Sequence, residues 1–450
     1  MARYNADLLP RLVPDYPIDV FVEGRPGPSE VAGLDRPVLS AHDFVWRHLQ
    51  HPYDLVVYQL GNAPCHDYMW AYLVRYPGCV VLHDGQLHHA RARSLLAQRR
   101  AEDYREEFLF DHPGVNTNLP EIGIAGRLGS LTYLFPMRRV VVDAARLIVV
   151  HNEWLADEIR HEQPDVPVCV VEMGVPAAAI RPGASERIRT RHGIAPDRIV
   201  FLALGRATPE KRISQALRAF RSILDAAPQA HLLICGEAAG YYSPLAEAET
   251  LGIAERITLS GFVPDQEVDD YLAAADVCLC LRWPAARETS AAWLRCLAAA
   301  RATIITDLPH TADIPALDPR TWAPYYVPPV SLESSALSMS YEAASVSIDI
   351  LDEDHSLGLA MRRLAADANL RAALGGEAHA LWARRFTLDR MVEGYRAALD
   401  AARLAPAPSP ASRRDRPPGH FLTDGTEHAA RLLRELGLPE SRVSAIWQTK

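Results

Sequence analysis

A chain of 450 residues is too long for one hydrophobic core and accommodates two domains of roughly 150–200 residues plus a tail. It is 49% hydrophobic and 23% charged, as a globular protein is, and its net charge of −9 with no strongly basic domain argues against nucleic acid as the main partner. Seven scattered cysteines with no CxxC pair, an opening (MARYNADLLP) without signal-peptide pattern and the lack of any apolar run of about 18 residues read as a reduced, cytoplasmic protein without a spanning segment. Peripheral contact with the inner membrane face stays open, and oligomeric state is not legible.

Residues 1–16 read as a short helix and PIDVFVEG (17–24) as a strand. A doubly wound domain usually opens strand, Gly-rich turn, helix. Here the helix comes first, so the first strand and its turn are expected to be missing or to lie upstream, unless the domain simply begins with a helix. Further strands are expected at 54–62, 79–84, 147–152 and 166–176, with a helical segment at 66–77. Polar residues recur at their C-terminal ends: Asn62, His83, Asp84, His151 and Asn152. That edge of a parallel sheet forms the ligand crevice. A charged, aromatic-rich and mostly helical insertion at 87–137 suits a lid or acceptor-binding element, or packing.

The connector at 180–198 is the best domain boundary. Strands at 199–204, 231–236, 257–262, 277–283 and 302–307 then alternate strictly with helices near 211–227, 244–251, 265–275 and 289–300. This is the clearest fold signal in the chain. Helical stretches fill 355–402. A Pro/Ser/Arg linker expected to be disordered covers 405–419, and one amphipathic helix is expected in the 420–450 tail.

Two constellations carry chemistry. After the strand 199–204 come Gly205, Arg206 and Lys211. Glycine admits a ligand close to the backbone, a helix N-terminus offers free N–H groups, and two cations suit a diphosphate whose charge grows as it leaves. The same residues also suit a solvated helix start. Glu288, Thr289 and Ser290 open the second helix. Thr and Ser are ordinary caps. Glu288 suits bidentate binding of sugar hydroxyls beside the phosphates, or merely a first-turn acid. Arg282 ends the strand 277–283, and Asn62, His66 and Asp84 form the facing, acceptor-side edge. No DxD stands at a strand end, the cluster Asp352-Glu353-Asp354 lies where no order is evident, and no P-loop, GxGxxG or GxSxG occurs, so neither metal nor cofactor is expected.

With these pieces in place, the segments GRATPEKRISQALRAF, LLICGE, ITLSGFVPDQEVDDYLAAADVCLCLRWP and RETSAAWLRCLAAARATIITD resemble glycosyltransferase family 4, retaining and metal-independent enzymes of GT-B architecture. DLVVYQLGN, CVVLHDGQLHHA and LIVVHNEWLADEI resemble that family's acceptor domain. The resemblance implies an α/β GT-B fold of two doubly wound Rossmann-like domains facing a cleft. The acceptor-side domain would span 1–180 and the donor domain 181–385. A helix at 386–404 would pack back on the first domain.

It further implies transfer of a sugar, of hexosyltransferase type, from a nucleotide-diphosphate-sugar to an acceptor hydroxyl. Arg206 and Lys211 would hold the pyrophosphate, Glu288 the donor sugar, and the N–H groups of Thr289 and Ser290 the phosphate. Phe262 and Val263 would meet the nucleobase, and His83 would stand near the transferred sugar. Three departures are visible. The family's second acid, eight positions after Glu288, is Cys296, or Arg295 with one deletion; a small Gly is replaced by Ala300 or Arg301; and the N-terminal Gly-rich loop is missing. They leave room for a catalytically silent nucleotide-sugar binder or scaffold, and a GT-B epimerase is a third reading. The nucleotide, sugar and acceptor (saccharide, lipid-linked or small molecule) are not written in the sequence.

Overall fold

The computed structural model describes residues 2–24, 37–325, 342–408, 416–422 and 434–437. The linker positions 409–415 and most of the expected tail helix lie outside them. In chain order the strands are β1 (Phe21–Val22), β2 (Leu39–Ser40), β3 (Val57–Leu60), β4 (Cys79–Leu82), β5 (Leu147–Val150), β6 (Val168–Val170), β7 (Ile199–Leu204), β8 (Ala230–Cys235), β9 (Ile257–Leu259), β10 (Val277–Cys280), β11 (Ala302–Thr306), β12 (Ala316–Leu317), β13 (Pro324–Tyr325) and β14 (Ser345–Ile348).

The first domain holds a parallel sheet of order β3-β4-β5-β6. The central strands β4 and β5 are apolar and buried at every position because both faces are covered. Val80, Leu82, Ile148 and Val150 face one core, with Trp70 and Leu155. Cys79, Val81, Leu147 and Val149 face the other, which is closed by helices Ala2–Leu12 and Leu388–Leu404 through Leu8, Leu12, Met391 and Tyr395. The long C-terminal helix thus belongs to the first domain's core. The strand expected at 17–24 is reduced to Phe21–Val22, paired in parallel with Leu39–Ser40 and outside the main sheet.

Among the described residues the second domain's sheet has eight strands, ordered β9-β8-β7-β10-β11-β14-β12-β13, all paired in parallel except β12 with β13. Phe201 and Ala203 point into one core and Val200 and Leu202 into the other, the two-residue alternation of a strand buried on both faces. Five of these strands stand where the sequence places them. β14 and the edge pair β12–β13 were not foreseen. The cluster 352–354 is also ordered: it opens helix Glu353–Ala366, and Glu353 takes a bidentate pair from Arg212, with Arg212 Nε 2.8 Å from Oε1.

Order reverses between β7 and β10: the chain winds outward from β7 to β8 and β9, then returns to β10 on β7's other side. Such a switch point leaves a crevice beyond the C-terminal strand ends, where adjacent loops diverge. Both chemical constellations leave the sheet there. Among the described residues no helix is long and apolar enough to cross a membrane.

Candidate functional site

Gly205 follows β7 with φ +103°, a left-handed conformation that strains any other residue. A Cβ there would also lie 3.2 Å from Lys211 Nζ. The glycine therefore lets the lysine fold back under the turn, where its ammonium donates to Leu204 O at 3.3 Å. Lys211 sits in a short turn (Pro209–Lys211) that precedes helix Ile213–Ile223, in a cavity with Cys278, Cys280, Cys296 and Arg282. Burial, then the Arg282 charge, pushes the Lys211 ammonium down to about 8. Arg206 is exposed and has no hydrogen-bond or ion-pair partner among the described residues.

Glu288 is fixed before any ligand arrives. Arg282 Nη1 lies 2.6 Å from its Oε1, and the Ala286 N–H donates to its Oε2 at 2.7 Å. Arg282 is in turn placed by its own N–H, which donates to Thr306 Oγ1 at the end of β11. Ser290 caps helix Ala291–Ala298 through Trp293 N at 3.3 Å. Thr289 lines the cavity, and its hydroxyl donates to His151 O of the first domain at 3.4 Å.

That bond is one of a row along the domain seam. The Gly85 N–H donates to Ala286 O at 2.6 Å, Asn152 Nδ2 to Arg287 O at 3.0 Å, and Arg287 Nε lies 3.1 Å from Glu158. The loop carrying Glu288 is therefore latched to the first domain. Beneath it lies a cavity of about 60 Å³ lined by Lys211, Arg282, Glu288 and His310.

On the facing edge Asp84 Oδ2 accepts the Asn62 N–H at 2.7 Å. Burial pushes the Asp84 carboxyl up to about 6 against that bond, and the Glu288 charge adds to the rise. Asn62 is clamped by its Nδ2 to Gln86 O and by Ala90 N to its Oδ1. His66 is buried and donates from Nδ1 to Gly61 O at 3.0 Å, so it braces the turn that carries Asn62 rather than facing the cleft.

His83 requires a correction. His151 donates from Nδ1 to Val171 O, and its Nε2 lies 3.2 Å from His83 Nδ1. His83 Nε2 lies 2.6 Å from Gln59 Oε1, and Tyr4 packs edge-on against the ring. Burial, then the neighbouring His151, holds His83 neutral. With Gln59 and His151 at its two ring nitrogens, His83 is a half-buried bridge between side chains rather than a group open to a substrate. Phe262 is 72% exposed, whereas Val263 packs against the core. Cys296 is fully buried, its Sγ 3.9 Å from Cys280 Sγ, and Arg295 is taken by Asp265 and Asp269. Neither supplies a free acid where the second one was sought.

Sequence reasoning passed over three residues. His310, after β11, lines the cavity and has a buried Nδ1 without a hydrogen-bond partner among the described residues; burial lowers its ring to about 4. Trp293 lines the same cavity with its indole N–H likewise unpaired. Tyr133, from the insertion, is pushed up to about 12 by burial and then by the Glu210 and Glu288 carboxylates. A polar residue just beyond a strand end was a usable signal for His310. Nothing local distinguishes the other two.

Residues 184–288 match the family model "Glycosyl transferases group 1". The match takes in less than half of the chain, and the chain has the GT-B fold. A D-inositol 3-phosphate glycosyltransferase from Mycobacterium ulcerans is 34% identical over 147 residues, which is 30% of this chain and 30% of that relative. The chain thus matches under a third of the length of such curated relatives. Among solved structures, the glycosyltransferase WaaG, involved in lipopolysaccharide biosynthesis, superposes with a TM-score of 0.55 at 16% identity, covering 88% of this chain and 94% of WaaG. HepE from Anabaena in complex with UDP-glucose superposes with a TM-score of 0.50 at 13% identity, covering 80% and 89%. These two likenesses concern the GT-B fold.

Proposed function

We propose that this chain transfers a glycosyl unit from a nucleotide-diphosphate-sugar to an acceptor hydroxyl, with retention at the anomeric carbon and without a metal ion. The observation that carries the reading is the placement of Lys211 and the Arg282–Glu288 pair at the switch point of the second sheet, under the seam between the domains. The names of the relatives and the UDP-glucose complex of a GT-B neighbour support it.

In this reading the diphosphate lies on the Gly205 turn between Arg206 and Lys211. Their two charges stabilise the departing nucleotide, the role a metal plays in other transferases. Glu288 takes donor-sugar hydroxyls, and the N–H groups at Thr289 and Ser290 meet phosphate once the Thr289 latch opens. The acceptor enters along Asn62 and Asp84. Closure along the Gly85–Ala286 and Asn152–Arg287 bonds excludes water, the competing acceptor. The acceptor attacks from the face the nucleotide leaves, and the leaving phosphate oxygen takes its proton.

The test is calorimetric titration of the chain with UDP-, GDP-, ADP- and TDP-sugars, paired with an assay for nucleotide release. Binding with release, lost in Lys211→Ala and Glu288→Ala, supports transfer. Binding without turnover of any donor points instead to a silent nucleotide-sugar protein, the reading favoured by burial of Cys296 at the missing acid's position. Donor conversion without an acceptor would mark an epimerase.

A further inference from the structure

Far from the cleft, a short segment beyond the linker lies against the first domain. Residues Gly419–Leu422 form a helical turn on helix Ala101–Asp111. Phe421 is buried, stacked on Trp70 with ring centroids 6.4 Å apart and 5.6 Å from the Arg91 guanidinium. The next residue back, His420, meets two carboxylates, and its neighbour Gly419 meets a third. His420 Nε2 lies 2.7 Å from Glu107 Oε1, and its Nδ1 lies 3.5 Å from Asp103 Oδ1. The Gly419 N–H donates to Glu106 Oε1 at 2.9 Å. One ligand atom each from Asp103, Glu106 and His420 falls within 4.8 Å of the others.

Glu107 is fully buried and paired with Arg91, whose Nε donates to its Oε2 at 2.8 Å. Arg91 holds Glu107 as an acceptor, so His420 Nε2 donates to it. That bond orients the ring and sets Nδ1 on the side of Asp103. A histidine that donates its far N–H to a buried carboxylate while presenting its near nitrogen beside two further carboxylates is the arrangement that metal-ligating histidines adopt. Asp103 gives Oδ2 to Arg100 at 2.6 Å and leaves Oδ1 for the centre. Glu106 is exposed and accepts the Gly419 N–H at Oε1. Charge agrees: three carboxylates stand against two guanidinium groups.

We propose that Asp103, Glu106 and His420 form a divalent-cation site that staples the C-terminal segment to the first domain. One imidazole and two carboxylates suit Zn²⁺ among common ions, with solvent completing the shell. The site is structural. It lies on the opposite side of helix His88–Ala97 from the acceptor edge: Arg91 of that helix meets Phe421, whereas Ala90 and Arg93 of the same helix hold Asn62. Seating of the tail therefore bears on the helix that positions the acceptor side. The proposal is independent of catalysis and stands or falls without it.

The experiment titrates the EDTA-treated full chain with ZnCl₂ by calorimetry and follows hydrogen exchange at 416–422. One equivalent should bind at micromolar strength or tighter, exchange in that segment should slow, and Mg²⁺ should not compete. His420→Ala and Asp103→Asn should each weaken binding about tenfold or more. Phe421→Ala, which removes the apolar anchor but no ligand, should bind zinc and regain protection only with it. No uptake, uptake unchanged in both ligand variants, uptake abolished instead by Cys65→Ser at the exposed thiol, or exchange at 416–422 indifferent to zinc would each overturn the site.

Discussion

Arg282 and Glu288 form an ion pair, 2.6 Å between Nη1 and Oε1, at the mouth of the cavity that holds the Lys211 ammonium. The pair sets the direction of the carboxylate, and the Ala286 N–H holds its second oxygen. In the proposed reading a donor sugar would meet an acid already oriented, without ordering cost at binding.

Replacement of Glu288 by Gln should lower kcat for transfer or donor hydrolysis about 10²–10³-fold, the scale for losing one preorganised polar contact to a reacting group. Arg282→Ala should cost a comparable factor by letting Glu288 swing away. Neither change should move the melting temperature much, since the pair is partly solvated. Steady-state kinetics beside thermal melts would check both.

Lys211 should give a basic limb. Its ammonium is present below about 8, so kcat/KM for the donor is expected to fall above that pH, whereas kcat should hold to higher pH because bound diphosphate retains the proton. Stability runs the other way. The folded value lies below the ordinary 10.5, so the buried charge opposes folding at pH 7, and the protein gains stability as pH rises from about 8 toward 10.5. Lys211→Met should abolish transfer, melt no lower than the parent at pH 7, and lose that gain.

Asp84 should supply the acidic limb. Its carboxyl titrates at about 6 in the fold against an ordinary 3.8, so the charged form is penalised above pH 6, and folding favours the protonated acid as pH falls from 6 to 3.8. If the carboxylate receives the acceptor, kcat/KM should rise through pH 6, and Asp84→Asn should remove the limb. A pH profile on the two proteins decides it.

Gly205→Ala should cost about 1–3 kcal/mol through its positive φ and also reduce activity, because the new Cβ meets the Lys211 ammonium at 3.2 Å. Urea melts and donor affinity should both change. An alanine variant with parental affinity would show that the turn does not carry the donor.

Glu158→Ala tests the seam. Arg138 is almost fully buried, with Nη2 bonded to Glu158 and Glu162, and Arg287 reaches Glu158 from the second domain. Removal of the shared acid should destabilise the chain by about 1–3 kcal/mol, since Glu162 still serves Arg138. It should also loosen closure, seen as a larger share of donor lost to water.

What could be read in the chain was local. Apolar runs buried on both faces are legible as strands, which is why β7 to β11 stand where expected. Gly205, Lys211, Arg282 and Glu288 were legible because each follows a strand end in sequence. The rest depends on distant pieces. His83 looked available until helix Ala2–Leu12 placed Tyr4 on its ring and β3 brought Gln59 to its far nitrogen. Thr289 read as a cap facing a ligand, but its bond to His151 O exists only because two domains meet. β14 went unread because buried Ser345 and Ser347 alternate with Val346 and Ile348 and break the apolar run that marks the other strands.

The central claim is tested most directly by the sugar first released from a hydrolysed donor, read by proton NMR before mutarotation, with water standing in for the acceptor. The expected result is release from at least one nucleotide-sugar with the donor's own anomeric configuration, lost in Lys211→Met and Glu288→Gln. Release with the opposite configuration, or undiminished release in both variants, would contradict the account.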